Sequence, residues 1–321
     1  MSEPTRPEYE DELVVARRDV AADGVAALTL RRPDGAPLPP WRPGAHVELL
    51  LEDGLVRPYS LCGDPGDPTA WRIGVLRVPE SRGGSAHVHD KLTQGAAVRV
   101  RGPRDTFGFR PARRYLFVAG GIGITPLLPM VAEAHAAGAG WRLVYGGRSR
   151  SSMAFLDELA PYGPAVDLYP QDERGLPDLA RHLAAPDPDT LVYCCGPEPL
   201  LAAVTERCAA AWPAGALRTE RFRPGSRPGT AADAPFDVVL SASGRTLRVE
   251  PGRTVLETVR EAGIAAPSSC AEGICGTCET EVLAGEPDHR DSVLGAEEKA
   301  SGETMMICVS RSLSPRLVLD L

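Results

Sequence analysis

Apolar and polar positions change rhythm twice along the chain. Between about 10 and 110, short apolar runs at 13–16, 25–30, 46–51, 71–76 and 97–100 are separated by clusters of Gly and Pro. Many short strands at such spacing predict a small antiparallel barrel. From about 113 the pattern lengthens. A continuous apolar run at 115–119 suits a buried parallel strand, a glycine-rich turn follows, and 127–137 predicts a helix. Further strands are expected at 142–145, 166–169 and 191–195. Strand, helix, strand is the alternation of a parallel nucleotide-binding sheet. Residues 224–234 are rich in Pro, Gly and Ala with no periodicity, which predicts a linker, and a last segment opens with a strand at 236–240. The expected domains are therefore 10–111, 112–223 and 235–321.

The formal net charge of -8 is unevenly spread. Residues 233–321 hold 15 Asp and Glu against 8 Arg and Lys, while the rest holds 28 against 27. An acidic C-terminal segment argues against nucleic acid and suits docking onto a positively charged protein surface. It also suits a merely solvated face. Only Lys91 and Lys299 are lysines, which reads as compositional bias. No apolar run is long enough to span a membrane, and the first residues lack a charged n-region and apolar h-region. A cytoplasmic protein is expected. In a reducing compartment its 8 cysteines would be ligands, catalytic groups or buried thiols rather than disulfides.

Four of them stand in the order Cys270-x4-Cys275-x2-Cys278-x29-Cys308. This is the plant-type ligand spacing for a [2Fe-2S] cluster. Two irons need four thiolates, and three of these can come from one wrapped loop. Gly273 and Gly276 lie between ligands, where the backbone must approach the sulfurs and aim N–H groups at them. Cys308 is expected on a strand spanning 305–309. A zinc ribbon would show two C-x-x-C pairs, and only Cys275-x2-Cys278 is one. Cys62, Cys194 and Cys208 read as buried small hydrophobes.

Two further segments could hold phosphates. Arg82-Gly83-Gly84-Ser85 enters a predicted helix, and such a turn offers N–H groups and a hydroxyl to an anion, or simply an N-cap serine on a surface turn. Gly120-Gly121-Ile122-Gly123-Ile124-Thr125-Pro126 joins a strand to a helix, where glycines permit a pyrophosphate to come close to the helix N-terminus. It is not G-x-G-x-x-G. Asp172, taken as the end of a third strand, would meet a ribose hydroxyl and repel a 2′-phosphate. Arg148 and Arg150 pull the other way, and NADH is expected over NADPH. His87 and His89 have no third ligand nearby and read as surface residues or supports.

Arg57-Pro58-Tyr59-Ser60 resembles the flavin signature of the ferredoxin-reductase superfamily, although an ordinary strand with an exposed Arg and a core Tyr would look the same. By that resemblance Arg57 meets the flavin phosphate, Tyr59 packs on the flavin and Ser60 lies near N5. The segment at 120–126 is similar to the G-G-x-G-x-[ST]-P motif of the same superfamily, and Cys195-Gly196-Pro197 to its C-G-x motif, with the cysteine near nicotinamide C4.

Taken in order, and with 57–62, 82–85, 193–197 and 285–291, these motifs resemble the phthalate dioxygenase reductase family, which includes the vanillate O-demethylase reductases. The resemblance covers nearly the whole chain. It implies an antiparallel flavin-binding β-barrel, an α/β nucleotide-binding domain with a parallel sheet, and a C-terminal plant-type ferredoxin of α+β, β-grasp type. It implies FMN, NADH and the cluster as cofactors. Gly74, Val75 and Leu76 would line the flavin, Thr125 would touch it, and Phe222 of the Glu220-Arg221-Phe222 segment would lie near it. Gly83, Gly84 and Ser85 would hold its phosphate. Gly120, Gly121, Gly123, Thr125, Pro126, Arg148, Asp172, Cys195, Gly196 and Pro197 would hold the nucleotide. Hydride would pass from nicotinamide to flavin with Ser60 and Cys195 positioning the pair, and single electrons would leave through the cluster to a terminal oxygenase. A Rieske-type aromatic oxygenase or O-demethylase is the first expected partner and a bacterial cytochrome P450 the second. A redox sensor without turnover is the alternative from another class. A monomer is expected.

Overall fold

The computed structural model describes residues 9–79, 83–223 and 233–321. They belong to two compact units, Met1–Thr219 and Glu220–Leu321.

The first unit opens with β1 (Glu10–Ala22), β2 (Val25–Arg31), β3 (Ala45–Leu50), β4 (Val56–Ser60), β5 (Trp71–Leu76) and β6 (Ala97–Asp105). They form an antiparallel sheet in the order β4-β3-β6-β1-β2-β5. Leu13, Val15, Leu28, Leu30, Val47, Leu49, Ile73 and Val100 fill its interior. Val88 of α1 (Gly84–Lys91) joins them. The sheet rolls into a barrel whose seam is narrow. Among the described residues, β4 and β5 meet through the bridge Leu61↔Ile73 and the bond from Cys62 N–H to Arg72 O (2.8 Å). β1 and β6 run beyond their apolar runs because strand pairing continues where the outward residues are charged. β1 carries irregularities at Val15/Arg17 and Val20/Ala22, so its period-two pattern is broken and hard to read.

The second half of this unit alternates strands and helices: β7 (Arg114–Gly120), α2 (Ile124–Ala136), β8 (Gly140–Gly147), α3 (Leu156–Leu159), β9 (Val166–Pro170), α4 (Gln171–Arg174), α5 (Leu179–His182), β10 (Thr190–Cys195), α6 (Glu198–Ala211) and β11 (Leu217–Glu220). Strand order is β11-β10-β7-β8-β9, and β10, β7, β8 and β9 are parallel. Phe117 and Ala119 face one core while Leu116 and Val118 face another, which explains why β7 is apolar throughout. Val25, Ala27 and Cys62 share the first of these cores, so barrel and parallel sheet are packed as one body. Helix α2 begins before the predicted start because Thr125 and Pro126 occupy its first turn, where a missing N–H is harmless.

The second unit holds β12 (Phe236–Leu240), β13 (Arg245–Val249), α7 (Val255–Glu261), β14 (Glu279–Ala284), β15 (Pro287–Asp288), α8 (Ala296–Ser301), β16 (Thr304–Met306), β17 (Arg311–Ser312) and β18 (Arg316–Leu319). Its mixed sheet runs β13-β12-β18-β14-β16, and β15 pairs with β17. Helix α7 starts at a capping box: Thr254 Oγ1 accepts from Glu257 N–H (3.1 Å) and Glu257 Oε2 from Thr254 N–H (2.9 Å). Val255, Leu256 and Val259 then enter the core. Of the predicted linker, 224–232 lie outside the described residues. Its last two residues are anchored in this unit: Asp233 pairs with Arg290 (2.8 Å) and Ala234 O accepts from Arg311 (3.0 Å).

One charged group stands inside the barrel wall. Glu48 of β3 is 1% exposed and pairs with Arg101 (2.7 Å) and Arg104 (2.8 Å). Removing the carboxylate leaves two guanidinium groups against each other. Glu48→Ala is expected to destabilise the first unit by about 3 kcal/mol, read as a lower urea midpoint at unchanged slope.

Candidate functional site

In an open parallel sheet, ligands bind beyond the carboxyl ends of the strands where strand order reverses. Here β7, β8 and β9 advance in one direction and β10 returns to the other side of β7, so the reversal lies between β7 and β10. Ala119 pairs with Cys195 in the register, which sets the glycine turn after β7 beside the Cys195-Gly196-Pro197 turn after β10. The two turns touch backbone to backbone. A Cβ on Gly123 would lie 2.3 Å from Cys195 O, and one on Gly196 would lie 2.9 Å from Gly120 Cα. A Cβ on Gly120 would meet Pro197 at 2.6 Å. Gly120, Gly123 and Gly196 are thus required by each other. Gly121 differs: its φ is +54° and open space surrounds it, so it is the glycine free to face a ligand. Thr125 is buried, and its hydroxyl donates to Ile122 O (3.0 Å), closing the turn that starts α2. Pro126 is buried behind it and Pro197 is exposed. The Cys195 side chain is fully buried in the core shared with Phe117 and Ile124.

At the ends of β8 and β9, Arg148 O accepts from Asp172 N–H (3.2 Å). The expected strand stops at Pro170, and Asp172 lies in the single turn of α4. The pre-proline break and the run Gln171-Asp172-Glu173 favour a turn there over an extended chain. Both Arg148 and Asp172 are exposed. Arg150 is engaged by Glu173 (2.9 Å), whose carboxyl it holds below the usual range.

The barrel residues gather on the seam strands. β4 carries Arg57, Tyr59 and Ser60, and β5 carries Gly74, Val75 and Leu76. Ser60, Gly74 and Val75 are buried; Arg57, Tyr59 and Leu76 are half-buried. Burial pushes the Tyr59 phenol up to about 12. Gly83 takes φ +92° at the start of α1, and the Arg57 side chain lies so close to Gly84 that a Cβ there would meet its Cγ at 2.6 Å. The guanidinium-bearing side chain and the N-terminus of α1 therefore share one place, as a phosphate cradle requires. Ser85 Oγ is partly committed, accepting from Val78 N–H (3.1 Å), and Arg82 lies outside the described residues. Of the two readings of His89 the support holds: its half-buried ring contacts Val75 O (2.9 Å) and props β5.

Barrel and sheet meet where the two groups of residues meet. A Cβ on Gly74 would lie 2.8 Å from Thr125 Cγ2 and 3.2 Å from the Phe155 ring. Phe155 and its neighbours Arg72 and Glu158 were not singled out in the sequence. Arg72 and Glu158 are 86 positions apart, and no local pattern joins them.

In the second unit, Cys270, Cys275, Cys278 and Cys308 are all buried and outside any disulfide. Ala271, Gly273 and Gly276 take positive φ, which coils the loop tightly. Gly273 has no room for a side chain: Val309 would lie 2.6 Å away and Asp291 Cα 3.1 Å. Glu272 N–H points at Cys270 Sγ (3.3 Å) and Thr277 Oγ1 contacts Cys275 Sγ (3.1 Å). Cys308 follows the end of β16 and lies in a turn, not on the expected strand. Cys275 and Cys308 donating to Cys270 push its thiol down, and sharing protons with Cys270 pushes theirs up. Among the described residues no three His, Cys, Asp or Glu side chains converge as a single metal ion requires. Cys270 instead meets both Cys275 and Cys308, and Cys308 also meets Cys278, so the four thiols form one linked group. Four buried thiols gathered at one place in the plant-type order supply the four thiolates that a [2Fe-2S] group needs, so this donor set fits it. Phe222, also in this unit, is 39% exposed.

Comparison with known proteins agrees with this layout. The 2Fe-2S iron-sulfur cluster binding domain matches residues 238–313. The chain is 46% identical over 303 residues to phenoxybenzoate dioxygenase subunit beta of Ectopseudomonas oleovorans, covering 94% of each. It is 38% identical to phthalate dioxygenase reductase of Burkholderia cepacia, covering 96% of this chain and 97% of the relative. A solved structure of phthalate dioxygenase reductase, described as modular for electron transfer from pyridine nucleotides to [2Fe-2S], superposes with TM-score 0.70 at 37% identity, over 97% of this chain and 98% of that one. An intact type IV self-sufficient cytochrome P450 monooxygenase superposes with TM-score 0.90 at 45% identity over 100% of this chain. This chain spans 43% of that larger enzyme. Among the described residues, no helix is long and apolar enough to cross a membrane.

A methyl group at the contact between the two turns cannot be absorbed by side-chain movement. Gly123→Ala is expected to lower thermal stability by about 1–3 kcal/mol, measured by calorimetry.

Proposed function

We propose, from the premise that the chain belongs to the phthalate dioxygenase reductase family, that it is an NADH-dependent oxidoreductase passing electrons through FMN and a [2Fe-2S] cluster to an oxygenase. One observation carries this reading. A single chain holds a four-thiol loop and a strand-order reversal whose first helical turn, at Thr125, abuts the barrel strand bearing Gly74. FMN, when bound, supplies the conversion between the electron pair of a nicotinamide and the single electrons an iron–sulfur cluster accepts.

The chain's own residues bind, orient and exclude water. Arg57 and the N–H groups at Gly83, Gly84 and Ser85 hold the flavin phosphate. Tyr59, Gly74, Val75, Leu76, Thr125 and Phe222 contact its ring system, with Ser60 near its reactive edge. Gly120, Gly121, Gly123, Pro126, Gly196 and Pro197 shape the nucleotide site, and Cys195 lies below the nicotinamide. Arg148 and Asp172 frame the ribose. Asp172 disfavours a 2′-phosphate, and Arg150 is already neutralised by Glu173, which supports NADH. No acid–base pair is required, because positioning supplies the catalysis. Cys270, Cys275, Cys278 and Cys308 hold the cluster.

The acceptor is a Rieske-type aromatic oxygenase or O-demethylase. The acidic C-terminal segment, with 15 acidic residues against 8 basic, suits docking on a positive surface. The likeness to the fused P450 reductase favours a second reading, in which the acceptor is a separate cytochrome P450. Reduction of each purified acceptor separates the two. We place the protein in the cytoplasm as a monomer with domains 10–111, 112–223 and 235–321.

Anaerobic titration with NADH is expected to bleach flavin and cluster absorbance together, with about three electrons taken up per chain. Absence of extractable FMN from the purified protein would falsify the scheme. Cys275→Ser is expected to abolish reduction of the protein acceptor and leave NADH-to-dye transfer near the wild-type rate, measured by steady-state assays. Loss of both would refute the separation of the two sites.

A further inference from the structure

On the reading of the first unit as a flavin and nucleotide module, we propose that Arg72, Glu158 and Phe155 form a latch holding the nucleotide half against the barrel, and that Phe155 is a positioning residue for reduction of the flavin by NADH.

The backbone of Phe155 marks the place. Its φ of +62° puts a bulky aromatic residue in the left-handed region, and among the described residues only Ala271 of the thiol loop shares that distinction outside glycine. Such a conformation persists only where the surroundings enforce it. Here α3 is built on it: Phe155 O accepts from Glu158 N–H (3.2 Å) and Leu159 N–H (3.3 Å). The direction of the Glu158 side chain therefore follows from the strained residue before it.

Each side chain of the group then reaches the barrel. The buried Phe155 ring lies on Gly74 of β5, beside the Thr125 methyl, where a Cβ would meet the ring at 3.2 Å. Arg72, two residues earlier on β5, stands over that ring with its guanidinium carbon 5.1 Å from the centroid. The same guanidinium donates to both Glu158 carboxylate oxygens (2.8 and 2.7 Å) and to Cys62 O (2.6 and 3.2 Å). One planar fork thus ties the barrel seam, the strand expected to line the flavin, and the helix after β8.

The latch is about geometry more than stability. Arg72 and Glu158 side chains are 28% and 45% exposed, and pairs so exposed contribute little to folding. Beside them is a cavity of about 360 Å³ with Cys62, Leu128, Pro129 and Tyr162 in its walls. At this edge of the shared core the halves are not packed solid, so the ion pair and the stacked ring carry the contact there.

The test uses the full-length protein loaded with FMN and cluster. Arg72→Ala, Glu158→Gln and Phe155→Gly are compared with wild type for FMN content, cluster absorbance, melting temperature, NADH Kd, limiting rate of flavin bleaching in single turnover, and long-wavelength charge-transfer absorbance. Phe155→Gly is compatible with φ +62° and removes the ring without adding strain. The expected result is unchanged FMN content, cluster and Kd, a weaker charge-transfer band, and a limiting rate lower by on the order of ten- to a hundredfold. Arg72→Lys, a point charge without the fork, is expected to restore little of that rate. A limiting rate and band equal to wild type in all three variants overturn the proposal. So does a rate that falls only in proportion to lost FMN or lost fold, which makes the group merely structural. A wild-type protein that retains no FMN, or does not react with NADH, overturns instead the function on which the latch rests.

Discussion

Much of the first unit follows from one contact, the meeting of two backbones at the reversal of strand order. The carbonyl of Cys195 stands where the first side-chain atom of residue 123 would be, and Gly196 lies on Gly120 in the same way. Side chains can turn aside from an overlap, but main chain held by a parallel sheet on both sides cannot. The contact therefore fixes where β7 releases the chain and where α2 begins. Thr125 stands in the first turn of α2, and the same residue rests on Gly74 of the barrel. From a pair of glycine turns, the position of the nucleotide half relative to the strand expected to line the flavin is determined in three short steps.

The second unit solves a different problem, the concentration of thiols at one place. Buried together, the four sulfurs share protons, which favours the thiolate at Cys270 and Cys278 and disfavours it at Cys275 and Cys308; a metal group would take the place of those protons. The chain meets this with backbone: positive φ at Ala271, Gly273 and Gly276 turns the loop inward, and Asp291 closes under Gly273. Asp291 is held in turn by N–H groups of Val293 and Leu294 (3.0 and 2.8 Å) and by Lys299, which donates to its carbonyl oxygen (2.7 Å). The segment at 285–291 that contributed to the family resemblance thus supports the loop from outside.

Where chemistry is carried by residue type and short spacing, the sequence was legible. The four cysteines, the glycine turn at 120–126 and the apolar run of β7 needed no tertiary information. Strands framed by Gly and Pro, such as β5 and β12, were placed to the residue. Elements whose outward face is charged were cut short, as β1 was, because only their apolar residues announce them. Asp172 and Cys308 were assigned to strands although they occupy turns, since a strand's end is decided by the pairing partner and not by the residues themselves. The glycines at 120, 123 and 196 were read as serving a ligand; the close meeting of two loops also requires them, and no single segment announces that. Phe155, Arg72 and Glu158 left no trace, because their meaning lies in a conformation and in a contact between distant strands.

The seam of the barrel has a consequence of another kind. A six-stranded wall closed at one side, among the described residues, by the bridge from Leu61 to Ile73 and the bonds between Cys62 and Arg72 is thinnest at that place. The strands on either side of that place are the two expected to carry the flavin. A molecule bound across both would act as a keystone, and its binding free energy would be counted in the closure of the wall. The supply of vitamin-derived cofactor then becomes a condition of the protein's survival against proteases, and not only of its turnover.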